Sequence, residues 1–221
     1  MTGTSDPSPG GPPGQRLAER LERRPTPRRS AAAAALHELA EVDRAVYRAI
    51  ASTPTPTLDE PLRRLTGLAN NSKLWIGIAG ALFVFGGRSG RRAAVTGAVA
   101  IGVNSALVNL PMKFASGRAR PDRDSAGVPA QRWVPMPEST SFPSGHSASG
   151  FAFAGAVAAS MPELAVPLRG LAAAVAYSRV HTGVHYPGDV VVGSLVGATI
   201  GEATALADRA LRRRRAGSLT R

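Results

Sequence analysis

The sequence contains no cysteine, which removes a disulfide framework, a thiol nucleophile and any cysteine-ligated metal from consideration. Acidic residues are also scarce: 15 Asp and Glu stand against 27 Lys and Arg, a formal charge of +12. That excess asks for an acidic partner such as lipid headgroups, nucleic acid or phosphorylated substrates, and charge alone does not choose among them. No secretory leader is visible, because the opening stretch is rich in Pro, Gly and Ser and has no apolar core. Charge is missing from long Ala/Val/Gly/Leu runs and crowded into the termini and one loop. The near-zero mean hydropathy therefore hides a segregation that points to membrane.

At 221 residues the chain has room for one domain of ordinary size with flexible ends. Residues 1–30 read as a disordered basic Pro/Gly-rich tail, residues 31–208 as a helical membrane domain, and residues 209–221 as a basic C-terminal tail. From Ala31 to Ile50, Leu36, Leu39, Val42, Val46 and Ile50 recur at three- and four-residue steps with Glu38, Glu41, Asp43, Arg44 and Arg48 between them. This predicts an amphipathic helix at a membrane interface or against a bundle.

Apolar stretches follow at about Leu74 to Gly87, Ala93 to Met112, Ser147 to Met161, Leu164 to Tyr177 and Val190 to Ala207. The second and fifth approach the roughly 20 residues that cross a bilayer, and the others borrow flanking residues or sit inside a bundle. The expected fold class is all-α, a multi-span helical membrane bundle of about five spans plus the N-terminal amphipathic helix. Gly97, Gly102, Gly150, Gly155, Gly193, Gly197 and Gly201 would let such helices approach closely. The blander alternative is a soluble Ala-rich bundle. Arg88, Arg91 and Arg92 join the first two stretches, and Arg209 with Arg212 to Arg215 follow the last. Alternate crossing puts both clusters on one face, expected to be cytoplasmic. The loops 113–142 and 178–189 then share the extracytoplasmic face, although Lys113, Arg118, Arg120, Arg123 and Arg132 in the first of them blunt the asymmetry.

The polar residues of interest fall at the ends of these stretches. A phosphate ester carries negative charge that spreads over its equatorial oxygens during transfer, so its catalyst needs several fixed cations around one point. Lys113, Arg120 and Arg179 supply a point charge and two planar forks. Pro143-Ser144-Gly145-His146 at a helix start offers backbone N–H groups, a hydroxyl and close approach at Gly145. With no cysteine, the nucleophile is a histidine, a serine or a metal-bound water. His185 has Asp189 four residues on, across Pro187, so the carboxylate can accept the Nδ1 proton and leave Nε2 free for phosphorus. His146 could protonate the leaving oxygen and later deprotonate water. Taken singly, these are solvated charges, a turn with a helix cap and a surface histidine; their joint occurrence on one face favours a phosphate site.

The runs Lys113-x6-Arg120-Pro121, Pro143-Ser144-Gly145-His146 and Ser178-Arg179-x5-His185-x3-Asp189 resemble the three-part signature of the type-2 phosphatidic acid phosphatase family, which shares its site with vanadium haloperoxidases. All three parts match in order and spacing, across roughly a third of the chain. The resemblance implies that Lys113, Arg120 and Arg179 bind phosphate, Ser144 and Gly145 line it, His146 is the general acid, and His185 is the nucleophile oriented by Asp189. It also implies a helical membrane bundle and no metal or other cofactor. The expected activity is hydrolysis of a lipid phosphate or pyrophosphate, such as phosphatidic acid, phosphatidylglycerol phosphate or a polyprenyl phosphate, through a phosphohistidine. The alternatives are a vanadate-dependent haloperoxidase and a non-catalytic lipid-phosphate binder.

Of the remaining features, His181 falls at a free position of the third motif and is expected to make a supporting hydrogen bond. His37 reads as solvated, and Trp133 with Val134 and Met136 as a lipid-tail contact or an interfacial anchor. The carboxylates near the histidines are too few for a hard cation. The Arg212 to Arg215 run beside an apolar helix suits anionic lipid better than nucleic acid. Nothing in the sequence signals an oligomeric state.

Overall fold

The computed structural model describes residues 31–108 and 112–218, without the side chains of residues 113 and 114. The expected tail at residues 1–30 lies outside the described residues. Residues 1–40 form one unit and residues 41–221 the compact unit that carries the site. The helices are α1 (Ala31–Ser52), α2 (Pro56–Leu68), α3 (Lys73–Phe85), α4 (Gly87–Leu107), the single turn α5 (Lys113–Ser116), α6 (Gly145–Ala158), α7 (Ala165–His181) and α8 (Pro187–Ser218). No strand occurs among the described residues, so the all-α expectation stands.

Each apolar stretch coincides with a helix: α3, α4, α6, α7 or α8. By length and hydropathy α8 is long and apolar enough to cross a membrane, and α2 with α3 passes the same test as a pair bent by 62°. Arg88, Arg91 and Arg92, expected in a connecting loop, lie instead in the first turns of α4. Gly86 and Gly87 turn the chain so tightly that no loop is left: Gly87 takes φ 59°, and Gly90 packs against the Leu82 carbonyl. The basic run after Asp208 continues α8 as helix to Ser218.

Helix α6 is central, packed against α4, α7 and α8. Its buried residues, among them Ala148, Ala152, Phe153, Ala156 and Val157, surround it on all sides. Trp75 and Phe153 stack at 5.6 Å in a core filled out by Ala93, Ala94, Ile101, Leu168, Ala172 and Val175. Against α6, α8 presents Gly193, Gly197 and Gly201, one turn apart. A β-carbon on Gly193 would stand 2.5 Å from the Ser144 carbonyl oxygen, and the other two would collide with the carbonyls of Ala148 and Ala152. The two helices therefore run parallel with backbone against backbone, as small residues permit. This seam sets the start of α6 beside the start of α8. Gly97 and Gly150 are equally tight, against Phe153 and Trp75, whereas Gly102 faces open space.

The outer surface is apolar: Val95, Val99, Val103 and Leu107 on α4, and Val191, Leu195 and Leu206 on α8, are exposed. On α1, Val42 and Val46 also face outward, while Tyr47 and Ala51 are buried. Val42 and Val46 of the predicted apolar stripe are thus left free, whereas Ile50 packs against Tyr47 and Ala51 and Asp43 meets Arg118 and the Gly188 N–H. The long loop is tied down by its arginines. Arg132 is 0% exposed and donates to Asp59 (2.8 Å), Thr55 Oγ1 (3.0 Å) and the carbonyl oxygens of Ile50, Ala51 and Thr53. It closes the end of α1 onto the start of α2 and satisfies carbonyls that a helix C-terminus leaves open.

Candidate active site

The starts of α6 and α8, the end of α7, the long loop and the break between α2 and α3 converge on one cavity of about 200 Å³. Arg120, Arg179, Gly145, His146 and His185 line it, with Ala69, Asn71, Ser72, Pro137, Ser139 and Ser149, and no carboxylate is among the lining residues.

His185 lies in the five-residue turn between α7 and α8, 2% exposed. Gly183 makes that turn possible: it takes φ 72°, and a side chain there would press on Arg123 at 2.9 Å. Asp189, in the first turn of α8, is fully buried, with Oδ2 3.6 Å from His185 Nδ1. Ser141 Oγ donates to the same oxygen at 2.5 Å and lies 3.4 Å from Nδ1; the Tyr186 N–H donates to it as well, at 2.9 Å. On the other edge of the ring, Arg120 Nη1 stands 3.2 Å from Nε2. A guanidinium only donates, so Nε2 holds a lone pair toward the cavity and the ring proton sits on Nδ1, facing Asp189. Burial, with the Arg179 and Arg120 cations beside it, pushes the imidazole pKa down to about 4 despite Asp189. His185 is therefore neutral at pH 7.

Arg120 is held by the carbonyl oxygens of Ser139 (2.8 Å) and Val184 (2.7 Å). Arg179, 2% exposed, donates through Nη1 to Thr66 Oγ1 at 2.5 Å, but its Nε has no hydrogen-bond partner among the described residues. An unpaired donor on a buried cation costs several kcal/mol unless an anion completes it, so the arrangement suits a bound anion.

Ser144 caps α6: its hydroxyl accepts from the Ser147 hydroxyl at 3.0 Å and its N–H donates to the Asp189 carbonyl at 2.9 Å. It lies behind the cavity, and Gly145 and His146 line it. His146 Nε2 is 2.9 Å from Asn70 Oδ1. Lys113 opens α5, but its side chain lies outside the described residues. His181 makes its supporting bond, to Thr55 Oγ1 at 2.9 Å.

Several contributors were missed by the motif reading. Arg118 bridges Asp189 Oδ1 (2.8 Å) and Asp43 Oδ2 (2.6 Å), and Asp43 Oδ1 accepts the Gly188 N–H at 2.7 Å. Asp43, Thr66, Asn70 and Ser141 all stand outside the three motifs, and only Arg118, within the first, carried any sequence signal.

The PAP2 superfamily model matches residues 93–213, more than half of the chain and all three motifs. The chain belongs to the PAP2 superfamily. Among curated relatives, a lipid A 1-phosphatase of Rhizobium johnstonii is 38% identical over 102 residues, 45% of this chain and 41% of that protein. A decaprenylphosphoryl-5-phosphoribose phosphatase of Mycobacterium tuberculosis is 40% identical over 88 residues, 38% of this chain and 44% of that protein. The matches thus span less than half the length of these relatives. Among solved structures, LpxE of Aquifex aeolicus superposes with a TM-score of 0.62 at 27% identity, covering 74% of this chain and 94% of that one. A transmembrane PAP2-type phosphatidylglycerolphosphate phosphatase from Bacillus subtilis gives 0.59 at 24% identity, covering 80% and 90%, a likeness of fold.

Proposed function

We propose that this PAP2 protein is a multi-span membrane phosphatase that hydrolyses a lipid phosphate or pyrophosphate through a phosphohistidine on His185. The observation that carries the reading is a neutral, buried imidazole with its Nε2 lone pair facing a cavity walled by two arginines, one with an unpaired donor. The substrate phosphate draws Arg120 off Nε2 and onto its oxygens, while Arg179, Lys113 and the N–H groups at the start of α6 take the remaining charge. Nε2 then bonds to phosphorus as the ester P–O bond breaks, and His146 gives a proton to the leaving oxygen. Water next attacks the phosphohistidine, His146 recovers a proton from it, the P–N bond breaks and inorganic phosphate leaves. Asp189 holds the proton-bearing edge of His185 and offsets the positive charge that develops on the ring.

The membrane reading, with residues 31–208 as the phosphatase domain between basic tails, rests on the outward apolar faces of α4 and α8 and on helices α3, α4, α6, α7 and α8 as spans. Arg88, Arg91 and Arg92 at the start of α4 and Arg209 to Arg215 near the end of α8 lie at the end of the bundle away from the cavity. The positive-inside tendency then puts the site on the extracytoplasmic face. The named relatives act on chemically different lipids, which favours recognition of the phosphate over any one headgroup. Phosphatidic acid, phosphatidylglycerol phosphate and polyprenyl phosphates are the candidates to try.

The test is phosphate release by detergent-purified protein from these lipids in excess chelator, beside His185→Ala. Release that persists in chelator and falls at least about a thousandfold in the variant supports the reading. Release lost to chelator overturns the metal-free mechanism. Binding without turnover leaves a lipid-phosphate binder, and vanadate-dependent halide oxidation a haloperoxidase.

A further inference from the structure

The break between α2 and α3 belongs to the site although no motif residue lies in it. The two helices bend by 62° across it, and Asn71 and Ser72 both take left-handed conformations, φ 52° and 58°, which side-chain-bearing residues adopt at a cost. Neither is glycine, so the strain is maintained by the surroundings. The break delivers Ala69, Asn71 and Ser72 to the cavity wall, the last turn of α2 delivers Thr66 to Arg179, and Asn70 Oδ1 meets His146 Nε2 at 2.9 Å.

We infer that Asn70 is a positioning residue for the proton donor of the first step, an inference that rests on the phosphatase reading above. An amide oxygen only accepts, so the contact keeps a proton on His146 Nε2, and the imidazolium that serves as the acid holds that proton at the cavity before substrate arrives. When the leaving oxygen takes that proton, the P–O bond breaks and the alcohol departs; the water of the second step returns a proton to the same nitrogen. Asn70 acts on the proton and not on phosphorus, so its contribution depends on how badly the leaving group needs protonation. An alkyl phosphate needs it, and an aryl phosphate with an acidic phenol does not.

The experiment compares kcat/KM for a lipid alkyl phosphate and for p-nitrophenyl phosphate in wild type, Asn70→Ala, Asn70→Asp, His146→Ala and His185→Ala. In Asn70→Ala the ratio of alkyl to aryl kcat/KM is expected to fall about tenfold, part of the larger fall in His146→Ala. In Asn70→Asp the carboxylate stabilises the imidazolium, so the alkaline limb of the alkyl pH profile moves to higher pH. An unchanged ratio in Asn70→Ala, whether because both substrates suffer equally or because neither does, overturns the inference. So does an alkaline limb that stays in place in Asn70→Asp. His185→Ala separates the two levels: if it retains activity, the phosphohistidine reading fails, whatever Asn70 does.

Discussion

At the end of the bundle that carries the cavity, Arg132 and Arg179 are 0% and 2% exposed. Arg132 is surrounded by acceptors from α1 and α2, and Arg179 is left one donor short. At the far end Arg213, Arg214 and Arg215 stand exposed, and Arg92 and Arg212 share the single carboxylate of Asp208. The same residue type does opposite work at the two ends. A buried guanidinium needs acceptors that only distant parts of the chain can bring, so it reports on tertiary structure and, where a donor stays open, on a ligand. An exposed one needs nothing from the fold and reports on the surroundings, which under the proposed membrane reading are an anionic lipid surface.

The contrast is broken most sharply at Arg132. Arg132→Ala takes the guanidinium from Asp59 and strips the carbonyls of Ile50, Ala51 and Thr53 of a donor inside the protein, and is expected to cost about 3 to 5 kcal/mol, read from thermal or denaturant unfolding in detergent. Acid comes next, because the cavity end also buries an imidazole. His185 has a folded-state pKa of about 4, below its ordinary 6.5, so the unfolded chain takes up the proton first. Stability from this group is complete above pH about 6.5 and is lost as pH falls toward about 4, a loss on the order of 3 kcal/mol. Unfolding midpoints followed across that window should drop less in His185→Gln than in wild type, and equal drops would remove the buried neutral imidazole from the account.

A smaller effect is expected at Asp43, which reaches Asp189, the carboxylate beside His185, through Arg118. Asp43→Asn keeps the shape and removes one charge-assisted contact, so kcat should fall about tenfold with little change in folding. The smallest belongs to the far end. Arg213→Gln should change stability by less than about 0.5 kcal/mol and leave turnover per folded molecule as it was. A loss there comparable to that of Arg132→Ala would erase the distinction between the two ends.

Much of the site was legible in the sequence because its residues come in short runs at helix ends. The spacing of His185 and Asp189 across Pro187 is local, and so is the start of α6 at Pro143-Ser144-Gly145-His146. Ser144 shows where local reading stops. Its hydroxyl and N–H are both engaged behind the cavity, because the glycine seam presses the start of α6 onto α8. The helix start at Arg88 escaped notice for a related reason: two glycines replaced a loop with a tight corner, and charged residues there looked like a connection.

By itself the sequence determined the helical class, the three motifs and the absence of any thiol chemistry, since each depends on residue type and near-neighbour spacing. Only the tertiary structure decided which arginines are buried, that Asp43, Thr66, Asn70 and Ser141 serve the site, and that α2 and α3 break at its edge. Those facts depend on contacts between residues 44 to 145 positions apart. No local pattern encodes such pairings; they arise when Gly193, Gly197 and Gly201 let α8 close on α6 and the surrounding helices pack against that pair.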